Sequence, residues 1–414
     1  RARITVIAGI LSLVAAYLFD ARYELKSDLY PANVCYNIAL AFQRTAQTQH
    51  YAETSNDFTF QAKTTRPEKN REVYVMVIGE TSRAANWSIY GYNRNTNPEL
   101  TKIKGLTAFS HVLTESNTTH KSVPMLMSSV TAHDFNSIYR QKGIITAFKE
   151  AGYRTAFFSN QRYNHSFIDF FGKEADICDF IKEDTGDGGY NPSDDELLKL
   201  VATELAENAS KQFIVLHTYG SHFNYRERYP ADHAFFLPDF PVDAELKYKD
   251  NLINAYDNSI RYTDNFLARL IRMLQEQDID AAMLYTSDHG EDIFDDDRHL
   301  FLHASPVPSY YQIHVPFLIW MSDNYRKNYP DLFKNAEINR QKNISSSASF
   351  FQTMLELGGI DTPSRNDSLS VINASYTEKN RVYLNDHNEA RSLNDIGMRE
   401  EDFTMLQMKG IVYR

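Results

Sequence analysis

The sequence predicts an α/β fold: a mostly parallel central sheet sandwiched by helices. Three observations predict it. From residue 72 onward, short apolar runs of strand length alternate with stretches of helix length. The chain has 414 residues, 43% hydrophobic and 23% charged, which is the profile of a globular protein with a large core. It shows no internal repeat and no low-complexity tract, so one large domain is the economical reading.

The elements follow in chain order. Ile4–Phe19 runs 16 residues without a charge. A full membrane span needs about 20 apolar residues, so residues 1–20 read as the end of a transmembrane helix in a chain that begins with Arg1. A secretory segment would be followed by a small-residue cleavage site, but Asp20-Ala21-Arg22-Tyr23 follows. A buried core helix is the other reading. Arg1 and Arg3 on the N-terminal flank place what comes after residue 20 on the outer face of the membrane. Residues 21–65 read as a juxtamembrane helix and linker. Tyr30, Val34, Ile38, Leu40 and Phe42 suit an amphipathic helix at a membrane surface, or equally a connector packed on the next domain. The polar run Gln61–Arg71, with Pro67, leads into a main domain at 66–414.

Within that domain the strand candidates are Val73–Ile78, Thr155–Phe158, Phe213–His217, Ala281–Thr286 and Pro316–Trp320. The helical stretches are Ser122–Ser129, Lys142–Ala151, Ser193–Ala209, Asn251–Glu276 and Ser345–Leu357.

Charge and cysteine content exclude whole classes. The net charge is −11 with acidic residues scattered along the chain, and no basic stripe marks a nucleic-acid binder. Cys35 and Cys178 are the only cysteines, too few for a disulfide framework or a Cys-based zinc site. Any metal must therefore be held by histidine and carboxylate.

In open α/β sheets, ligands gather outside the carboxyl ends of the strands. Glu80 follows the first strand, His217 and then His222 follow the third, and Asp288-His289-Gly290-Glu291 follows the fourth. Carboxylate oxygen and imidazole nitrogen suit a hard or borderline cation. The bland alternative for Asp288-His289 is a turn whose aspartate caps the next helix. His303, in Phe301-Leu302-His303, is a further candidate; His111, His233, His299, His314 and His387 read as structural. The run Glu115-Ser116-Asn117-Thr118-Thr119 precedes Ser122-Val123-Pro124. It reads as an N-cap cluster, and the same geometry could present a hydroxyl nucleophile and free N–H groups to a phosphate.

With these pieces assembled, the chain resembles the membrane phosphoethanolamine transferases of the alkaline phosphatase superfamily, among them lipid A-modifying and mobile colistin-resistance enzymes. The resemblance is carried by Val77–Arg83, Gly91–Pro98, Thr118-Thr119 before Ser122-Val123-Pro124, Leu252–Asn258, Leu284–Glu291 and Leu302-His303, in the family's order. It implies an alkaline phosphatase/sulfatase-like fold and one Zn²⁺ site of Glu80, Thr119, Asp288 and His289, with a second ion possible. It implies Thr119 as nucleophile, His222 and His303 as catalytic, and His165, Asn117, His222 and His303 as substrate contacts. Relatives usually carry several disulfides; here the catalytic part holds only Cys178.

The implied reaction moves phosphoethanolamine from phosphatidylethanolamine to lipid A or another envelope glycan or lipid, through a phosphothreonine-type intermediate. The implied place is the bacterial inner membrane, with the catalytic domain on the periplasmic side. Phosphoglycerol transfer, metal-dependent phosphodiester hydrolysis and an inactive membrane-anchored sensor are the rivals. No Cys/Ser-x-Pro-x-Arg sequence precedes a suitable helix, which argues against sulfatase chemistry.

Overall fold

Seven strands build the central sheet: β1 (Glu72–Gly79), β2 (Leu106–Phe109), β3 (Arg154–Ser159), β4 (Ile177–Phe180), β5 (Lys211–His217), β6 (Asp280–Ser287) and β7 (Phe317–Met321). Their order is β2-β7-β6-β1-β5-β3-β4. β6, β1, β5, β3 and β4 run parallel, while β7 pairs antiparallel with both β6 and β2. The mostly parallel sheet expected from the sequence is what forms. β1, β5 and β6 are buried along their whole length, which is why they read as near-continuous apolar runs.

The computed structural model describes residues 2–20, 30–67, 71–182 and 191–413. It separates into two units, Arg1–Asp57 and Phe58–Arg414. The first holds helices α1 (Ala2–Asp20) and α2 (Ala32–Gln49). Val6, Ile10, Leu11 and Leu13 are exposed on α1, and Ile38 and Phe42 on α2. Among the described residues no helix is long and apolar enough to cross a membrane. Part of the segment expected to join these two helices, residues 21–29, lies outside the described residues.

The second unit starts at Phe58, ahead of the expected boundary at 66. The polar run looks like a linker in sequence, but its backbone is hydrogen-bonded. Glu150 accepts from the Phe60 and Ala62 amides at 3.1 and 2.9 Å, and Lys63–Thr64 pairs with Ile360–Asp361.

The helices that cover the sheet include α3 (Thr119–Leu126), α4 (Ile144–Glu150), α5 (Asp195–Ala206), α6 (Lys249–Gln275) and α7 (Ser346–Leu357). In α6, Leu252, Ala255, Tyr256, Ile260, Phe266 and Leu270 are buried at helical spacing, so one stripe faces the sheet. α3 differs from expectation. It opens at Thr119, not at Ser122, and Pro124 sits inside it, with no N–H to return to the carbonyl of His120. Thr119 is therefore the first helical residue and its amide belongs to the turn that lacks intrahelical acceptors.

Candidate metal and nucleophile site

The three central strands deliver the site. Glu80 follows β1, His217 closes β5, and Asp288 and His289 follow β6. Because β6, β1 and β5 are neighbours, these residues meet at one rim. Glu80, Asp288 and His289 are all buried, and each offers a ligand atom within 4.8 Å of the others. Thr119 Oγ1 reaches this cluster from α3, 3.1 Å from Glu80 Oε1 and 3.1 Å from His289 Nε2.

The backbone is shaped to hold this geometry. Thr81 adopts a φ of 58°, and the strain is held by two bonds. Its amide donates to Asp288 Oδ1 at 3.0 Å and its carbonyl accepts from Tyr256 Oη at 2.7 Å. Gly220 has a φ of +50°, and a Cβ there would fall 2.6 Å from the Glu80 carbonyl. Only glycine fits. The Leu252–Asn258 motif acts as a brace. Asp257 accepts from Asn86, Tyr92 and Arg94, tying α6 to the loop after β1.

The electrostatics are those of a cation site. Burial pushes the Glu80 carboxyl up, but His289, His222, His303 and the Thr81 hydroxyl outweigh it and hold it at about 2. Burial, and then the Glu80 charge, drive Asp288 well above the usual carboxylate range. His289 is drawn down to about 3, first by burial and then by His303. Its Nδ1 lies 2.9 Å from the Gly290 carbonyl, so Nδ1 carries the proton and Nε2 presents a lone pair. Asp288 Oδ2 is buried without a hydrogen-bond partner. Two carboxylates, a neutral imidazole and an orphaned oxygen fit a divalent metal, and the N/O donor set without sulfur fits zinc.

The site opens into a cleft of about 290 Å³ whose walls include Thr119, Gln161, Arg162, His217, His222 and His303. His303 lies against His289, ring centroids 4.1 Å apart, and His222 stands 6.1 Å from His303. Burial lowers the His303 imidazole, but Glu291, 3.5 Å away, outweighs it and raises the group above its ordinary value.

Two sequence-predicted residues are placed differently. His165 is exposed and does not line this cleft; its ring packs on Tyr163, centroids 4.5 Å apart. Its neighbours Arg162, Asn164 and Asp169 do line the cleft. The buried Asn117 amide is committed to structure: Nδ2 donates to Gln312 Oε1 and the Ser305 carbonyl, and Oδ1 accepts from Tyr383. Those bonds fix the loop before Thr119. Sequence reasoning missed Gln161, whose Nε2 donates to Glu80 Oε2 at 2.7 Å, and gave Glu291 no role. Glu291 follows β6, whose end also delivers Asp288 and His289, and Gln161 follows β3, a strand end to which the same rule extends.

The sheet and its rim define an α/β protein of the alkaline phosphatase/sulfatase type. The sequence model of the Sulfatase family matches residues 72–360, and the chain belongs to that family. Among its relatives, the Kdo(2)-lipid A phosphoethanolamine 7''-transferase of Escherichia coli K12 is 31% identical over 293 residues, 69% of this chain and 50% of that protein. Phosphoethanolamine transferase EptA of the same strain is 29% identical, over 71% of this chain and 54% of its own length. The chain thus spans about half the length of these curated relatives. Among solved structures, the C-terminal periplasmic domain of Escherichia coli EptC in complex with Zn superposes with a TM-score of 0.73 at 23% identity, covering 81% of this chain and 96% of that one. The soluble domain of lipooligosaccharide phosphoethanolamine transferase A from Neisseria meningitidis gives 0.67 at 25% identity, covering 75% and 95%. The resemblance read from the motifs is borne out.

Proposed function

We propose that the chain is the catalytic part of a zinc-dependent phosphoethanolamine transferase acting between envelope lipids. One observation carries the reading: Thr119 Oγ1 lies within hydrogen-bond reach of both Glu80 and His289, at the mouth of the cleft. Glu80, Thr119, Asp288 and His289 would hold the metal. Zinc bound there supplies Lewis acidity, lowering the pKa of a bound hydroxyl and drawing charge from a phosphoryl oxygen.

The chain's own residues do the rest. Thr119 Oγ1, its proton lost to solvent before the donor binds and so ionised at the start and end of each cycle, attacks the phosphorus of phosphatidylethanolamine, and the bond from phosphorus to the diacylglycerol oxygen breaks. First-turn amides of α3 face the anionic phosphoryl group. His303, protonated through Glu291, gives its proton to the leaving diacylglycerol oxygen. Neutral His303 then takes the proton of the acceptor, whose oxygen attacks the phosphoethanolamine on Thr119 and frees the threonine. His222, its ring centroid 6.1 Å from that of His303, is assigned to orient the phosphoryl group. Lipid A is the acceptor by analogy with the Kdo(2)-lipid A transferase. α1 and the segment after it are assigned to membrane anchoring, with the domain on the periplasmic side.

The test is diacylglycerol release from a short-chain fluorescent phosphatidylethanolamine, with and without candidate acceptors. Release that stops on chelation and returns with zinc supports the reading. Release unaffected by chelation, or none at all, removes it.

A further inference from the structure

Beside the nucleophile loop lies a second cavity, of about 500 Å³, which shares no lining residue with the cleft. Glu115 lines it. This side chain is buried, and its Oε2 has no hydrogen-bond partner among the described residues. Ala348, Leu369, Tyr376 and Val382 supply the apolar part of the lining. His133, Glu378 and Lys379, all exposed, line it as well. The start of α7 reaches the cavity through Ser345, its N-cap, and Ser349.

The place suits a carboxylate and leaves it short of a donor. A helix start favours negative charge, which an ionised Glu115 supplies beside α7. Burial raises the carboxyl to about 7, with Asp134 adding to it, against the Ala132 amide, the Ser347 hydroxyl and the charge of Arg381. Arg381 does not close the gap, because its guanidinium donates to the carbonyls of His111, Ile344 and Val412. A buried carboxyl oxygen left without a donor is costly, and the cavity is the space in which a donor would fit.

The chemistry of the lining selects that donor. Among the described residues, the three ligating side chains close enough to share a metal ion are those at the rim. One carboxyl in a partly apolar cavity does not replace the oxygen shell of a hard metal ion. An ammonium on a carbon chain fits both halves: N–H donors for the carboxylate, apolar surface for Leu369 and Tyr376. Such a charge-assisted bond is roughly twice as strong as a neutral one. A volume of about 500 Å³ takes a small molecule, not the two acyl chains of a membrane lipid. We infer that this cavity is a binding site for a small alkylammonium ion, its N–H groups on Glu115 Oε2 and its chain against Leu369 and Tyr376. The site stands apart from the transfer chemistry at the rim. Its occupant would bear on the loop that carries Thr119, because Glu115 lies on that loop and Thr114 Oγ1 donates to the Asp288 carbonyl at 2.8 Å.

The experiment titrates hexylamine, and hexanol as its neutral counterpart, into the zinc-loaded full chain in detergent at pH 8. Calorimetry reads the affinities in wild type, Glu115→Gln and Ala348→Phe. Hexylamine should bind wild type at least about tenfold more tightly than hexanol, the scale of one hydrogen bond to a charged group. Glu115→Gln should bring hexylamine down to the affinity of hexanol and leave hexanol within about twofold. Ala348→Phe, which fills the cavity, should weaken both. Phosphoethanolamine, a lipid headgroup freed of its chains, is the third probe and should bind more weakly than hexylamine. Equal affinities for amine and alcohol in wild type, or no saturable binding of either, overturn the site. Amine binding that survives Glu115→Gln or Ala348→Phe also overturns it, since an amine on the rim zinc would ignore both changes. Glu115-dependent binding of phosphoethanolamine tighter than that of hexylamine would make the occupant a lipid headgroup and overturn the free amine.

Discussion

Strand β1 ends in buried charge on both sides, and the two ends are built on opposite rules. At its N-terminal end Glu72 Oε2 accepts from Tyr74 and Tyr153 hydroxyls at 2.8 and 3.0 Å. Arg66 donates to Tyr74, Tyr325 and the Leu357 carbonyl, and its guanidinium lies 3.9 Å from the Tyr329 ring centroid. That network is satisfied by hydrogen bonds within the protein. At the C-terminal end Glu80, which lines the cleft, lies beside Asp288, whose buried Oδ2 has no hydrogen-bond partner. A closed buried network lends stability, whereas an open one is a site awaiting a ligand.

The largest expected effect separates chemistry from structure at the open end. Thr119→Ala should lower diacylglycerol release by about 10³-fold or more, as loss of a nucleophile does. Its unfolding midpoint should stay near wild type, because Thr118 is the N-cap and Thr119 only the first helical residue. Near-normal turnover in Thr119→Ala would transfer the role to another hydroxyl, with Thr81 and Ser116 next in line. An adduct trapped on the Thr119 peptide and seen by mass spectrometry would strengthen the assignment.

The next pair of variants tests the comparison itself. Arg66→Met should cost about 3–5 kcal/mol, the usual penalty for removing one partner from a buried charged network. Zinc content of the folded fraction should not change. Asp288→Asn should do the reverse. It removes a like charge from beside Glu80, so the chelated protein should be as stable as wild type or more so, while bound zinc falls at least about tenfold. Denaturant midpoints of chelated protein and elemental analysis give both readouts. If Asp288→Asn destabilises the chelated protein as much as Arg66→Met does, the rim carboxylates are structural and the metal reading fails.

Both ends differ in how legible they were in the sequence. The rim was readable because a parallel strand is a continuous apolar run that stops abruptly, so Glu80, His217 and Asp288-His289 stand out as the first carboxylate or imidazole residues after it. The five predicted strands and five predicted helices all exist, with shifted ends. The edge strands β2 and β4 went unseen. They are four residues long and partly exposed, so no apolar run announces them. The closed network was invisible as well, since Arg66, Tyr74, Tyr153 and Tyr325 meet only through the fold. His165, which the resemblance implies as a substrate contact, has a left-handed φ of 60° and its ring packs on Tyr163. The Leu252–Asn258 segment, which carries part of the resemblance, is a brace: Tyr256 holds the Thr81 carbonyl and Asp257 holds the loop after β1.

The smallest effect concerns a third kind of buried carboxyl, neither paired nor facing a cleft ligand set. Glu115 is 3% exposed, four residues before Thr119, and its Oε2 has no hydrogen-bond partner. Burial raises it from 4.5 to about 7, against weaker opposite pulls that include the charge of Arg381. The fold therefore favours the protonated form. The stability that this form lends is complete below about 4.5 and is lost as pH rises through 7. Glu115→Gln keeps the shape and removes the titration. Between pH 5 and pH 8 wild type should lose about 2 kcal/mol from this group, since each tenfold change in proton affinity is about 1.4 kcal/mol. The variant should be spared that loss, so the two should match at pH 5 and diverge at pH 8 with Glu115→Gln the more stable. Urea midpoints at the two pH values, at unchanged m, measure the difference. Other raised carboxyls such as Asp264 and Glu174 contribute equally to both proteins and cancel. Identical pH slopes would mean that Glu115 is ionised in the fold, and a hidden cation, not burial alone, would then have to be sought behind the nucleophile loop.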